Sequence, residues 1–161
     1  MTNKISNLKI KNIAWLVAMA MFFLADQYLK FLAIILWPAH PKKIIGNLLT
    51  FNFVPNYNIA FSLPLGGIWL NILITIIIIA ILSYLIFNYK HLSKLEIISF
   101  SGILLGAAGN LIDRLKYGYV IDYLDLKWFT VFNLSDVLIS FSTIALFIYL
   151  LKTPKKTLSI K

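Results

Sequence analysis

The chain holds six acidic residues, Asp26, Glu96, Asp113, Asp122, Asp125 and Asp136, and these are the side chains best able to do chemistry. Asp26 has Lys30 at i+4 and Asp113 has Arg114 beside it, whereas Asp122 and Asp136 have no basic neighbour within reach in the sequence. Each of these two could supply a carboxyl whose proton affinity is set by burial and by the other. Two carboxylates in one low-dielectric site cannot both ionise, so one keeps its proton while the other acts as a base on a bound water. That is aspartic protease logic. Plainer duties compete with it. Asp136 suits the N-cap of a following helix, although Asn133 or Ser135 could cap instead, and Asp122 could be a solvated loop acid with Asp125 as its rival. Spacing alone leaves Asp113 and Asp125 in contention.

Other chemistries have less to stand on. There are no cysteines, which excludes thiolate metal sites, cysteine nucleophiles and disulfide frameworks. His40 and His91 are isolated, so neither a metal nor another cofactor is expected. No Gly-x-Ser-x-Gly elbow occurs, and a serine–lysine dyad would need Lys42, Lys43, Lys116 or Lys127 to meet a serine such as Ser62. Asn52, Asn56, Asn58 and Ser62 read instead as donors and acceptors for an extended peptide backbone. The formal charge of +9 does not point to nucleic acid, because the lysines form no stripe with interleaved aromatics and lie between apolar runs.

The elements that must position these acids are set by composition. Of 161 residues, 60% are hydrophobic and 13% charged, far from the usage of a soluble domain of this length. The expected fold is an all-α integral membrane protein, one membrane domain over 1–161, with transmembrane helices at about 13–37, 68–87, 95–112 and 135–151. The first span could be a secretory signal, given Ala18-Met19-Ala20 after Lys4, Lys9 and Lys11, but its apolar run continues far enough to span. Lys4, Lys9, Lys11, Lys90, Lys94, Lys152, Lys155, Lys156 and Lys161 fall on one side, which makes both termini cytoplasmic by the positive-inside rule. The outer loops are then about 38–67 and 115–134. The first, with Pro38, Pro41, Pro55 and Pro64, reads as a small β-like region, and the second as an interfacial segment over the site.

On this layout five of the six acids converge on the outer side. Glu96 to Asp113 is 17 residues, about 26 Å of helix, so Asp113 reaches the outer edge of the hydrocarbon at the level where Asp136 begins the fourth span. Asp26 lies in the outer half of the first span, one helical turn from Lys30, as a self-neutralising pair or a support for the site. Gly102, Gly106 and Gly109 form a small-residue face for close helix contact. Arg114, the only arginine, is expected to form a fixed pair with Asp113 or to clamp a carbonyl or phosphate.

Five segments in this order, Asp26-Gln27-Tyr28-Leu29-Lys30, Asn56 to Ser62, Gly106 to Arg114, Val120-Ile121-Asp122-Tyr123 and Phe132-Asn133-Leu134-Ser135-Asp136, resemble bacterial lipoprotein signal peptidase, the signal peptidase II family. The resemblance covers about residues 15 to 150. It implies a metal-independent aspartic endopeptidase of the bacterial inner membrane, acting at the periplasmic face, monomeric or not. It would cut diacylglyceryl-modified prolipoproteins on the N-terminal side of the lipidated cysteine, with membrane lipid as a partner and globomycin-like peptides as inhibitors. Carried over by motif, Asp122 and Asp136 are the catalytic pair, and Asn56, Asn110, Arg114, Asn133, Asp26, Lys30 and Asp113 are the supporting or substrate-binding residues. Asn58 stands where the family carries glycine, and the segment from Asp122 to Asp136 is short for it. A small proton- or ion-coupled transporter using the same acids as a relay is the alternative, although the second and fourth spans lack a mid-membrane ionisable residue.

Overall fold

In the computed structural model the described residues are 2–38, 41–58 and 67–153, with 2–14 and 16 described as backbone only. Helix α1 runs Thr2–Leu36, strands β1 and β2 Lys42–Ile45 and Leu49–Asn56, helices α2 and α3 Ile68–Asn88 and Lys94–Tyr117, strands β3 and β4 Val120–Leu126 and Val131–Phe132, and helix α4 Leu134–Lys152. His40, Ser62 and Pro64 fall outside the described residues.

Among the described residues four helices are long and apolar enough to cross a membrane, including Val17–Leu36 within α1. The packing is that of a bundle meant for hydrocarbon. Of α2 only Leu70 is buried, while Ile76, Ile77, Ile79 and Phe87 face outward, an arrangement that water would penalise and lipid does not. The interior of α3 is small or polar instead: Ser99, Gly102, Gly106, Gly109, Asn110 and Asp113. The three glycines let α4 approach closely. A Cβ on Gly106 would stand 2.6 Å from the Ser135 carbonyl oxygen and 2.7 Å from Ile139 Cγ1, and one on Gly102 or Gly109 would collide with the hydroxyl of Ser142 or Ser135.

Helix ends follow from local chemistry. Ser93 caps α3 in a capping box, its Oγ accepting from Glu96 N at 3.2 Å while Glu96 Oε2 accepts from Ser93 N at 2.7 Å, which accounts for the one acid away from the others. α3 does not stop near Ile112 but continues to Tyr117, ending where Gly118 takes a left-handed φ of 84° and its N–H reaches the Arg114 carbonyl. Asp113 and Arg114 are therefore helix-interior residues. Lys30 lies within α1 with 1% of its surface exposed.

The two loops are not separate structures. Their strands form one antiparallel sheet in the order β1-β2-β3-β4, so the segment after α3, expected as an interfacial stretch, is a strand paired with the first loop. Val54 opposes Asp122 and Asn56 opposes Val120. The reason is backbone satisfaction: β2 would otherwise leave an open edge beside a membrane. Trp37, at the end of α1, stacks on Phe51 at 4.5 Å and packs with Ala33, Ile121 and Tyr123, fixing the sheet to the bundle.

Candidate active site

Asn133 lies between β4 and α4 and does three things at once. As N-cap of α4 its Oδ1 accepts from Asp136 N at 2.9 Å, and its own N–H donates to Asp136 Oδ2 at 3.3 Å. With Oδ1 committed, Nδ2 must point the other way, where it donates to Asp122 Oδ1 at 2.7 Å and to the Ile121 carbonyl at 3.4 Å. One residue thus joins the two acids that have no basic partner in sequence, by its side-chain amide to Asp122 and its backbone N–H to Asp136. Asp136 is at N3 rather than at the cap, which goes to Asn133.

Further amides complete each carboxylate. Asn56, diagonal to Asp122 across the β2–β3 pair, donates from Nδ2 to Asp122 Oδ2 at 2.9 Å, and Asn110 donates from Nδ2 to Asp136 Oδ1 at 2.8 Å. Asp122 is 3% exposed. Burial pushes its carboxyl up to about 7, with the Asp136 charge adding to the rise and the amides of Asn56 and Asn133 and the Lys30 charge opposing it. Near neutrality such a carboxyl is divided between acid and base forms, as acid–base work on a water requires.

Behind the pair sits a charge cluster. Lys30 Nζ lies 2.9 Å from Asp26 Oδ2 and 2.8 Å from Asp113 Oδ2, and it donates to Asn110 Oδ1 at 3.0 Å, so its donors all have acceptors. By fixing Asn110 Oδ1, Lys30 turns Asn110 Nδ2 toward Asp136. Asp113 Oδ2 also accepts from Ile121 N at 3.2 Å, tying β3 to α3. The i, i+4 pair of Asp26 and Lys30 is present; of the two expectations for Arg114, the pair with Asp113 is not formed among the described residues, and a bond to a carbonyl is. Adjacent residues on a helix point about 100° apart, and while Asp113 turns to Lys30, Arg114 Nη2 donates to the Asn58 carbonyl at 2.9 Å and Nη1 to the Asn110 carbonyl at 3.5 Å. Arg114 Nε is buried without a hydrogen-bond partner among the described residues.

A cavity of about 160 Å³ opens beside Asp122, lined by Val54, Asn56, Tyr57, Asn58, Thr130 and Val131. Asn58 N donates to Asn56 Oδ1 at 3.0 Å. Among the described residues Trp128 is the one non-glycine with positive φ, so Asn58 does not need a glycine-like backbone. Asp125, the rival acid, accepts from Asn52 at 3.3 Å and shares no partner with Asp136, so Asn52 is spent there rather than at the cavity. Two groups that sequence reasoning did not single out for the site, the hydroxyls of Tyr123 and Ser135, both bond to Asp26. Their signals were adjacency to the two acids and, for Ser135, its candidacy as a helix cap.

Comparison with known proteins gives a consistent answer. The Signal peptidase (SPase) II family profile matches residues 18–152. The chain is 38% identical over 147 residues to a lipoprotein signal peptidase of Caldicellulosiruptor bescii, covering 91% of this chain and 96% of that protein. It is 34% identical over 151 residues to one of Lactobacillus johnsonii, covering 92% and 98%. A solved bacterial membrane enzyme shares the fold at TM-score 0.75 and 24% identity, over 92% of this chain and 94% of the other. With its family profile matched across the bundle and sheet alike and its relatives aligned nearly end to end, the chain belongs to the signal peptidase II family.

Proposed function

We propose that this member of the signal peptidase II family is an aspartic endopeptidase whose two working acids are Asp122 and Asp136. Cleavage of prolipoprotein signal peptides is the family's reaction, and the chain is a multi-pass membrane protein that acts on a membrane-bound substrate. The observation that carries the aspartic reading is the Asn133 amide holding one carboxylate at 2.7 Å while its backbone N–H holds the other at 3.3 Å, next to an open cavity. The relay alternative finds no support in the relatives.

Asp122, whose carboxyl is pushed up to about 7, carries the shared proton at rest, and Asp136 is the base. Asp136 removes a proton from water as its oxygen attacks the scissile carbonyl carbon, and Asp122 protonates the carbonyl oxygen. In the second step Asp122 takes a proton back from the gem-diol, Asp136 delivers its proton to the departing amine, and the C–N bond breaks. No covalent intermediate forms. Asn56, which lines the cavity, and Arg114 hold peptide backbone or lipid ester oxygens of the substrate. A globomycin-like peptide would compete there, and no group of the site needs a second copy of the chain.

The sheet is at one end of the bundle with Lys42, Lys43, Lys116 and Lys127, whereas Lys4, Lys9, Lys11, Lys90, Lys94, Lys152, Lys155, Lys156 and Lys161 belong to the other side in the sequence, an excess that supports a site facing outward from the bacterial inner membrane and both termini cytoplasmic. The lipidated cysteine of the substrate can then keep its acyl chains in the bilayer while the bond before it reaches the acids. The test is cleavage of a diacylglyceryl-modified prolipoprotein by purified protein with EDTA present. Metal-independent cleavage lost in Asp122→Asn and in Asp136→Asn is expected. Survival in Asp122→Asn would move the role to another acid.

A further inference from the structure

Asp122 is followed in the chain by Tyr123 and Asp136 is preceded by Ser135, and both of these neighbours grip one carboxylate on α1. Tyr123 Oη donates to Asp26 Oδ1 at 3.0 Å and accepts from Leu134 N at 3.2 Å. Ser135 gives two bonds, from N to Asp26 Oδ1 at 3.2 Å and from Oγ to Asp26 Oδ2 at 2.7 Å. Asp26 and Tyr123 are fully buried and Ser135 is 2% exposed, so no water competes for these bonds. Burial pushes the Tyr123 hydroxyl well up, with the Asp26 charge adding, so it stays a neutral donor. Lys30, at 2.9 Å, balances Asp26 and holds it in place.

We propose that Tyr123 and Ser135 are positioning residues, setting the separation of Asp122 from Asp136 through their shared hold on Asp26, a role that rests on the aspartic dyad proposed above. Successive side chains of a strand point to opposite sides, so when Tyr123 is anchored behind β3, Asp122 is presented in front of it. Leu134 and Ser135 open α4, so fixing them fixes Asp136 at N3. Asn133 bonds to both carboxylates directly, and the Asp26 junction ties together the residues that adjoin them in the chain. A single water must touch both carboxyls, and a misplacement of about 1 Å is enough to cost about a hundredfold in rate.

The test is Tyr123→Phe and Ser135→Ala, singly and together, in the full-length enzyme with a diacylglyceryl-modified prolipoprotein. The ring of Tyr123 packs at 6.4 Å from Trp37 and 6.3 Å from Phe51, contacts that phenylalanine keeps, so the first variant deletes only the hydroxyl. Expected is a fall in kcat of about tenfold for Tyr123→Phe, KM within about twofold, and a displaced pH profile of kcat. Because the hydroxyls hold the two oxygens of one carboxylate, the double variant should lose less than the product of the single losses. A purely structural role would lower the melting temperature and the folded yield but leave kcat per folded enzyme and its pH profile alone, and that result overturns the proposal. So does a strictly multiplicative double loss. Asp122→Asn and Asp136→Asn run alongside. Wild-type cleavage in either sinks the dyad and this role with it, whereas inactivity in both with an unaltered Tyr123→Phe overturns the positioning role alone.

Discussion

Replacing Asn133 with serine separates its two duties. Serine caps a helix about as well as asparagine, so its hydroxyl can still accept from Asp136 N, but it is too short to donate across to Asp122. Asp122 then loses the donor now at 2.7 Å from its Oδ1 and keeps only Asn56. A hydrogen bond to a charged group contributes about 1.5–3 kcal/mol, and about 1.4 kcal/mol corresponds to one pKa unit, so the carboxyl should rise by about one to two units. The starting value is about 7. The direction follows from which form the bond favours. The Asn133 amide stabilises ionised Asp122, so its removal raises the proton affinity. If Asp122 is the acid of the first step, the alkaline limb of the kcat profile moves up by the same one to two units, while the maximal rate falls because the pair is less well held. The assay is cleavage of a lipidated prolipopeptide in micelles from about pH 5 to 10, with the melting temperature followed in parallel. An alkaline limb that stays in place or moves down in a folded variant would refute the reasoning.

Three other outcomes are expected. Lys30→Met leaves Asp26 and Asp113 buried without their cation, at a cost of about 3–5 kcal/mol, so the folded yield in detergent should collapse even though Lys30 touches no substrate. Gly106→Ala forces a methyl against the Ser135 carbonyl and Ile139, costing about 1–3 kcal/mol, and should lower both melting temperature and activity; an unchanged melt would mean that α3 and α4 are not tightly apposed. Because Asp122 rises from 3.8 to about 7 on folding, the native state holds a proton that the unfolded chain releases, and this contribution to stability declines as pH rises through that window. Melting temperatures from pH 4 to 8 should show that slope, and Asp122→Asn should flatten it.

How far the sequence could be read depended on the range of the interaction. Helices were legible because 20 apolar residues have few other uses, and so were the segments carrying Asp122, Asp136, Asn56, Asn110 and Asn133. Their partners were less so. A pair of Asp113 with Arg114 was one of two readings because they are adjacent, yet a helix sends neighbours to different sides: Lys30, distant in the chain, takes Asp113, and Arg114 meets a carbonyl, the other reading. The pairing of β2 with β3 spans a gap filled by two helices, and no local pattern announces it. Tyr123 and Ser135 carry no charge, so nothing in composition marked their hydroxyls as parts of a junction. Glu96 was set apart by location alone, and its capping box supplies the reason.

Since the residue that starts α4 is also the residue that joins the two acids, fraying of that helix end and loss of the site are one event. Unwinding a single turn removes only a small part of the helical content but frees Asn133 and displaces Asp136 together. Catalysis should therefore report on the first turn of α4 more sensitively than any spectroscopic measure of fold. A warming series or a harsher detergent should extinguish cleavage while the circular dichroism signal is still that of an intact bundle.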